Sequence, residues 1–261
     1  MERSSPVYQT YVKILERELV PAMGCTEPIA IAYCAAVARS VLGELPDRIH
    51  VVASGNIIKN VKSVVVPNTG GRRGMETAAA IGALGGDETA GLEVIAHVPQ
   101  KAKDRLERYL QETEVTVGAA QTDHVLDIEV TVSKGNSRAV VRAVNEHTNL
   151  VYIEKNGQVL EERPIEKRED PDAPDYTLLN VADICEFART CELSDVSAIL
   201  DRQIACNTAV AEEGLRGDYG ANVGSTLLKA YGTDIKIRAK ARAAAGSDAR
   251  MSGCELPVVI N

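Results

Sequence analysis

The chain has 261 residues, of which 45% are hydrophobic and 25% charged, enough to bury a sizeable core in one large domain or two modest ones. A net charge of −8 and the absence of a Lys/Arg-rich run argue against a nucleic-acid backbone or an anionic membrane surface as partner. The first residues carry no apolar leader, and no apolar stretch approaches the roughly 20 residues of a membrane span, so a cytoplasmic protein with small-molecule or protein partners is expected.

In chain order, Val7, Tyr11, Ile14, Leu15 and Leu19 form a helical stripe that Pro21 ends. After "PAMGCTEP" the helical spacing resumes at Ile29, Ala32, Ala36, Val37 and Val41, which predicts a helix over about 27–42 with Cys25 just before its N-terminus. From Ile49 the runs "IHVVAS" and "VKSVVVP" read as strands, followed by a glycine-rich turn "PNTGGRRG" and a small-residue helix "METAAAIGALGG". Leu126, Ile128, Val130 and Val132 alternate with polar residues, and so do Ala139, Val141 and Ala143. "LVYIEKNGQVLEE" places Asn156-Gly157 between two strand-like halves, the strongest short hairpin signal available. This predicts an antiparallel meander.

Residues 161–177 are charged, proline-rich and aperiodic, and read as an exposed connection between a first region, 1–160, and a helical region, 178–261. Val181, Ile184 and Phe187 mark one helix there, Val196 to Ile204 another, and Val223 to Tyr231 a third, with the helical pattern lasting to about Ala245. The segment "SDARMSGCELPVVIN" closes on an apolar run, which gives the expectation of a chain cut short. The expected fold class is α+β: an N-terminal helical hairpin, a central, mostly antiparallel sheet with helices, then a helical region.

The chemistry centres on cysteine. The six cysteines are dispersed, with no CxxC pair or zinc-ribbon spacing, so reduced thiols are expected. A thiol at a helix N-terminus faces unpaired N–H groups and the positive end of the helix dipole, which lower its pKa, making Cys25 a candidate base or nucleophile. The alternative is a small apolar residue in a helix-helix turn. Gly24 would allow close backbone approach, Thr26 or Glu27 could cap the helix, and Pro28 suits its first turn. Cys34 and Cys206 lie in helical, apolar surroundings and read as packing residues. Cys254 sits between glycine and a short apolar run, in a loop or turn where ligands concentrate.

Two further segments could hold a substrate carboxylate. Asn68, Thr69 and Gly70 offer donors in the glycine-rich loop, although the same pattern makes a tight strand-to-helix turn. His147, Thr148 and Asn149 cluster at a strand entrance, although Asn and Thr favour turns for local reasons. The other histidines fall in strand-like surroundings.

With these pieces placed, the chain resembles the cysteine desulfidase family, also called serine dehydratase alpha-chain-like or UPF0597. The resemblance rests on "MGCTEPIAIAYCAA", "VPNTGGRRGMETAAAIGALGGDETAGLEVI", "HTNLVYIE" and "GSDARMSGCELPVVIN". It implies an oxygen-sensitive [4Fe-4S] lyase, without pyridoxal phosphate, that converts L-cysteine to pyruvate, ammonia and hydrogen sulfide. It also implies that Cys25 is the base taking the α-proton and that Cys254 matches the first of three cluster ligands. Members of the family continue with "SGSGNQG" and a helical region carrying the other two ligands, so those would come from beyond these residues or from a second chain; a homo-oligomer is also possible. L-Serine dehydration, a non-catalytic amino-acid-binding or regulatory fragment, and a redox-sensing thiol protein are the rival readings.

Overall fold

The computed structural model describes residues 1–165 and 172–259. Helix α1, Pro6–Glu18, opens at Ser5, whose hydroxyl accepts the Tyr8 N–H, with proline at the first helical position. A short strand β1, Pro21–Met23, leads into α2, Thr26–Leu42. From Pro28 to Ala38 nine of eleven positions of α2 are buried, all of them apolar or small, so this middle stretch lies inside the molecule. Gly43, at φ +90°, ends it in the left-handed conformation that glycine adopts readily.

Strand β2, Arg48–Ala53, is followed by helix α3, Gly55–Val61, and then by α4, Met75–Gly85. The strand expected over "VKSVVVP" does not form. Its first residue ends α3, and Val64 to Pro67 run as a buried connection tied by one bridge, Val65 to Arg73, and by the Val65 N–H on the Met251 carbonyl. Val65 packs against Gly253, just past α9, and Val66 joins the main core with α2 and α4, so these valines are buried without alternating in a sheet.

Residues 100–119, to which the sequence pattern assigned nothing, form α5, Gln100–Glu112, and strand β3, Glu114–Ala119. The meander follows as β4, Asp127–Lys134, β5, Ser137–Val144, β6, Leu150–Lys155, and β7, Gln158–Glu162. The six-stranded sheet has the order β3-β2-β4-β5-β6-β7; β2 and β3 are parallel and the other neighbours antiparallel. Ile128, Val130 and Val132 pair with Ala143, Val141 and Ala139 and are buried in the same core as α2 and α4. Asn156 and Gly157, at φ +52° and +84°, make the tight β6–β7 turn.

The small-residue helix α4 is core. It packs on α2 so closely that a Cβ on Gly82 would sit 2.2 Å from the Ala32 carbonyl oxygen. The helical region consists of α6, Val181–Thr190, α7, Leu193–Arg216, α8, Val223–Tyr231, and α9, Ile235–Met251, which continues six residues past the expected limit at Ala245. Phe187 joins α6 to α1 through edge contacts with Tyr8 and Tyr11, at centroid distances of 5.0 and 5.5 Å.

Strand β8, Pro257–Val259, returns to pair antiparallel with β1. Asn207 of α7 holds it through two hydrogen bonds to the Val259 backbone, at 2.9 and 3.0 Å. The fold is α+β, as the pattern predicts. Residues 166–171 of the expected charged connection, and 260–261, lie outside the described residues. Among the described residues no helix is long and apolar enough to cross a membrane.

Candidate functional site

Cys25 occupies the position before the first turn of α2, in extended backbone at φ −80°, ψ 131°. It does not cap the helix. Its thiol instead donates to Glu27 Oε2 at 2.9 Å, while Asn60 Nδ2, at the end of α3, donates to Glu27 Oε1 at 3.0 Å. The Thr26 hydroxyl approaches the first of these oxygens at 3.4 Å. Gly24 is held at φ +67°, and a Cβ there would sit 3.2 Å from Pro67 Cγ, so glycine suits both the turn and the close packing against the glycine-rich loop. The Gly24 carbonyl accepts from Arg250 Nε of α9 at 3.2 Å.

Glu27 also faces a cavity of about 410 Å³, lined further by Asn56, Asp123, His124, Asn145 and His147. Cys25 is buried and is not among the lining residues, so Glu27 is its link to that space. His147 enters from the turn between β5 and β6, and His124 Nδ1 lies 3.1 Å from Asn145 Oδ1.

The electrostatics depart from the expectation of a lowered thiol pKa. Burial first, then the hydrogen bond to Glu27 and that carboxylate's charge, push the Cys25 thiol up to about 12, and the opposing pull of Arg250 is weaker. The helix N-terminus cannot dominate because the thiol points at a carboxylate. Burial works against ionisation of Glu27, but hydrogen bonds from Cys25, its own N–H and Asn60 outweigh it and hold the carboxyl below its ordinary range. For His147, burial lowers the pKa more than the charges of Glu27 and Glu146 raise it. At neutral pH the arrangement is a neutral thiol donating to a carboxylate, with a neutral imidazole beside them.

The other predicted residues are placed as follows. Asn68 is buried at φ +61°, with Nδ2 on the Ile95 carbonyl at 2.7 Å and Oδ1 accepting from Lys103. Thr69 is buried too, its hydroxyl on the Val66 carbonyl at 2.6 Å. Asn68 ties the loop to Ile95 and to Lys103 of α5, Thr69 closes the loop on itself, and Gly70, at φ +68°, is the open member of the three. In the turn before β6, Asn149 Nδ2 donates to the Val144 carbonyl at 2.9 Å, Thr148 is exposed, and His147 reaches the cavity. Of the remaining histidines only His50 lies in a strand; His97 and His124 are in turns or irregular segments.

Cys254 follows α9 in a loop, buried with Val210, Ala249 and Val258 and with Tyr219 packed against them. Burial raises its thiol pKa. Among the described residues no three His, Cys, Asp or Glu side chains come together as a metal site. One buried thiol in an apolar pocket is not a cradle for a [4Fe-4S] cluster, which is held by several cysteine thiolates. Cys34 is fully buried in the main core, as expected.

Sequence reasoning missed Asn60, Asp123, His124 and Arg250. Arg250 stood within a segment already singled out, "GSDARMSGCELP", but an arginine in a helical run gives no sign that its head will reach Gly24.

The fold and site thus define an α+β protein with a thiol–carboxylate pair at the start of a buried helix, beside a polar cavity. No family model matches the chain. Among curated proteins it is 53% identical over its full length to a UPF0597 protein of Desulfitobacterium hafniense, 51% identical over 98% of its length to one of Lachnoclostridium phytofermentans, and 44% identical over 97% to one of Treponema denticola. Over the region shared with them, the chain is similar in sequence to these UPF0597 proteins. It spans 60 to 61% of the length of these relatives.

Proposed function

We propose that the chain carries the proton-handling part of a lyase that removes a β-substituent from a small L-amino acid, with L-cysteine as first candidate and L-serine as second. One observation supports this above the others: the Cys25 thiol is in hydrogen-bond contact with a carboxylate that itself opens onto a cavity. In this reading a substrate ammonium pairs with Glu27, which offsets the charge that keeps the thiol protonated and brings a positive charge near the sulfur. The thiol proton leaves through Glu27 to the cavity, and the thiolate takes the substrate's α-proton. The carbanion electrons form the Cα–Cβ double bond as the C–S bond breaks, its electron pair departing with sulfur. The aminoacrylate tautomerises and is hydrolysed, so L-cysteine and water become pyruvate, ammonia and hydrogen sulfide. For serine the leaving group is hydroxide. The family resemblance assigns a [4Fe-4S] cluster to such enzymes, and Cys254 is the position it would reach in this chain.

A second reading, an amino-acid-binding module without turnover, draws support from the thiol being held protonated. Pyruvate formation from L-cysteine and L-serine, with thermal shift on the same anaerobic samples, separates the two. Pyruvate that disappears in Cys25→Ser supports the lyase, a shift without pyruvate supports the module, and neither signal defeats both.

A further inference from the structure

A second cavity, of about 270 Å³, lies between α7 and α9 and shares no lining residue with the one at Glu27. Val210 and Ala211 of α7 and Val258 of β8 give it buried apolar walls. On α9, Arg242 and Arg250 stand about two turns apart on the face that lines the cavity, with Ser247 beside them. No acidic side chain is among the lining residues, although the chain as a whole carries a net charge of −8.

The basic groups are free to meet a ligand. Among the described residues the one hydrogen bond of the Arg250 side chain runs from Nε to the Gly24 carbonyl at 3.2 Å, and no carboxylate pairs with it. That bond anchors the guanidinium and leaves its terminal N–H groups to face an anion. Arg242 has Glu212 3.5 Å away, but both side chains are about half exposed, and such a surface pair yields readily to a competing anion. Asn207, by contrast, is part of the wall, because both ends of its amide hold the Val259 backbone.

This mixture selects a class of ligand. Guanidinium groups call for an anion, and a carboxylate matches their planar fork. An inorganic anion would leave the three apolar residues facing water, whereas an aliphatic body covers them. The small volume excludes a long chain.

We propose that this cavity binds a small carboxylate with a short aliphatic body, its head on Arg250 and Arg242 and its body against Val210, Ala211 and Val258. The site is separate from the one assigned to the amino-acid substrate and does not depend on that assignment. Its occupant touches a guanidinium that is itself bonded to the residue before Cys25.

NMR titration of the isotope-labelled, reduced chain, read at the Gly246 and Ser247 amides, tests the proposal with three probes. These are 3-methylbutanoate; 3-methylbutanamide, which keeps the shape and lacks the charge; and inorganic phosphate, which keeps a charge and lacks the aliphatic body. 3-Methylbutanoate is expected to shift both amides saturably and to bind more tightly than either of the others. Its affinity should fall severalfold in Arg242→Gln, which leaves the Gly24 tie intact, and about tenfold in Arg250→Gln. Equal binding of the amide, or unchanged affinity in the variants, would overturn the role of the arginines. Tighter binding of phosphate would overturn the carboxylate class, and the absence of any saturable shift would overturn the site. Should Arg250→Gln fail to fold, Arg242→Gln and the comparison with the amide decide the matter. Pyruvate formation from L-cysteine or L-serine stands or falls separately from all of these outcomes.

Discussion

The Cys25 thiol donates to Glu27 Oε2 at 2.9 Å across a single intervening residue, Thr26. Helical geometry at the start of α2 makes this contact possible, because the residue before the first turn and the second residue of that turn both project from the helix mouth. The contact decides the charge state of the pair: a carboxylate accepting from sulfur favours the thiol over the thiolate.

Replacing Glu27 by Gln removes the negative charge and leaves only a weaker, neutral amide acceptor, but it keeps the burial, which is the larger cause. The Cys25 pKa is expected to fall from about 12 and yet stay above that of a free thiol. Iodoacetamide labelling followed at the Cys25 peptide across pH 7 to 10 reads this directly. A labelling profile that stays put or moves to higher pH would contradict the arrangement.

The same substitution should lower the His147 pKa as well. Burial lowers that imidazole's pKa and the Glu27 charge partly restores it. Its titration midpoint, followed by NMR of the ring protons, should lie below the ordinary histidine value of about 6.5 and fall further in Glu27→Gln. A rise would place the two groups out of electrostatic reach.

Asp127 and Arg142 form a paired contact across β4 and β5, at 2.9 and 2.7 Å, with the Asp127 side chain 3% exposed. Burial raises the Asp127 pKa, but hydrogen bonds from Arg142 and Thr122 more than reverse this and hold it low. A carboxyl with a depressed folded-state pKa stabilises the fold above its unfolded pKa, near 4, and loses that contribution as pH falls through the folded value. Asp127→Asn should cost roughly 2–3 kcal/mol at pH 7, since a buried charge loses its partner while Arg142 keeps some solvent. The deficit relative to the unsubstituted chain should shrink below pH 4 in urea denaturation. A pH-independent deficit would assign the loss to packing alone.

Two glycines in the same half of the chain should respond differently to alanine. Gly82→Ala forces a methyl into the Ala32 carbonyl and is expected to cost about 3 kcal/mol or more, through separation of α2 and α4. At Gly70, where no atom lies within 4 Å, only the positive φ opposes the methyl, at about 1 kcal/mol. Thermal denaturation of the two variants checks the ordering, and equal losses would remove the case for close helix contact.

The elements that sequence reveals are those whose pattern is set locally. The alternation of Ile128, Val130 and Val132, the Asn-Gly turn at 156–157 and the stripe of α1 all report a face or a backbone conformation that neighbouring residues determine. Helix α5 went unread although its buried Ala102, Leu106 and Tyr109 lie at helical spacing, because charged residues surround so few apolar ones. The valines at 64–66 misled, since burial in a connection, Val65 against the segment after α9 and Val66 in the main core, selects the same residue types as a strand. At the site, Cys25 was legible from its place before a helix. The direction of its pKa shift was not, because it depends on where the Glu27 carboxylate points and on burial from distant segments.

The bond between Arg250 and Gly24 joins residues 226 positions apart, and the β1–β8 pairing lies beside it. Closing so long a loop has a large entropic cost that only the completed contacts repay, which places this junction late in folding. On a ribosome, Gly24 and Cys25 emerge long before α9 exists, so the sulfur spends the interval without the burial that later suppresses its ionisation. The nascent chain therefore passes through a period in which Cys25 is far more open to oxidants and electrophiles than in the finished protein, and arrival of α9 ends that period.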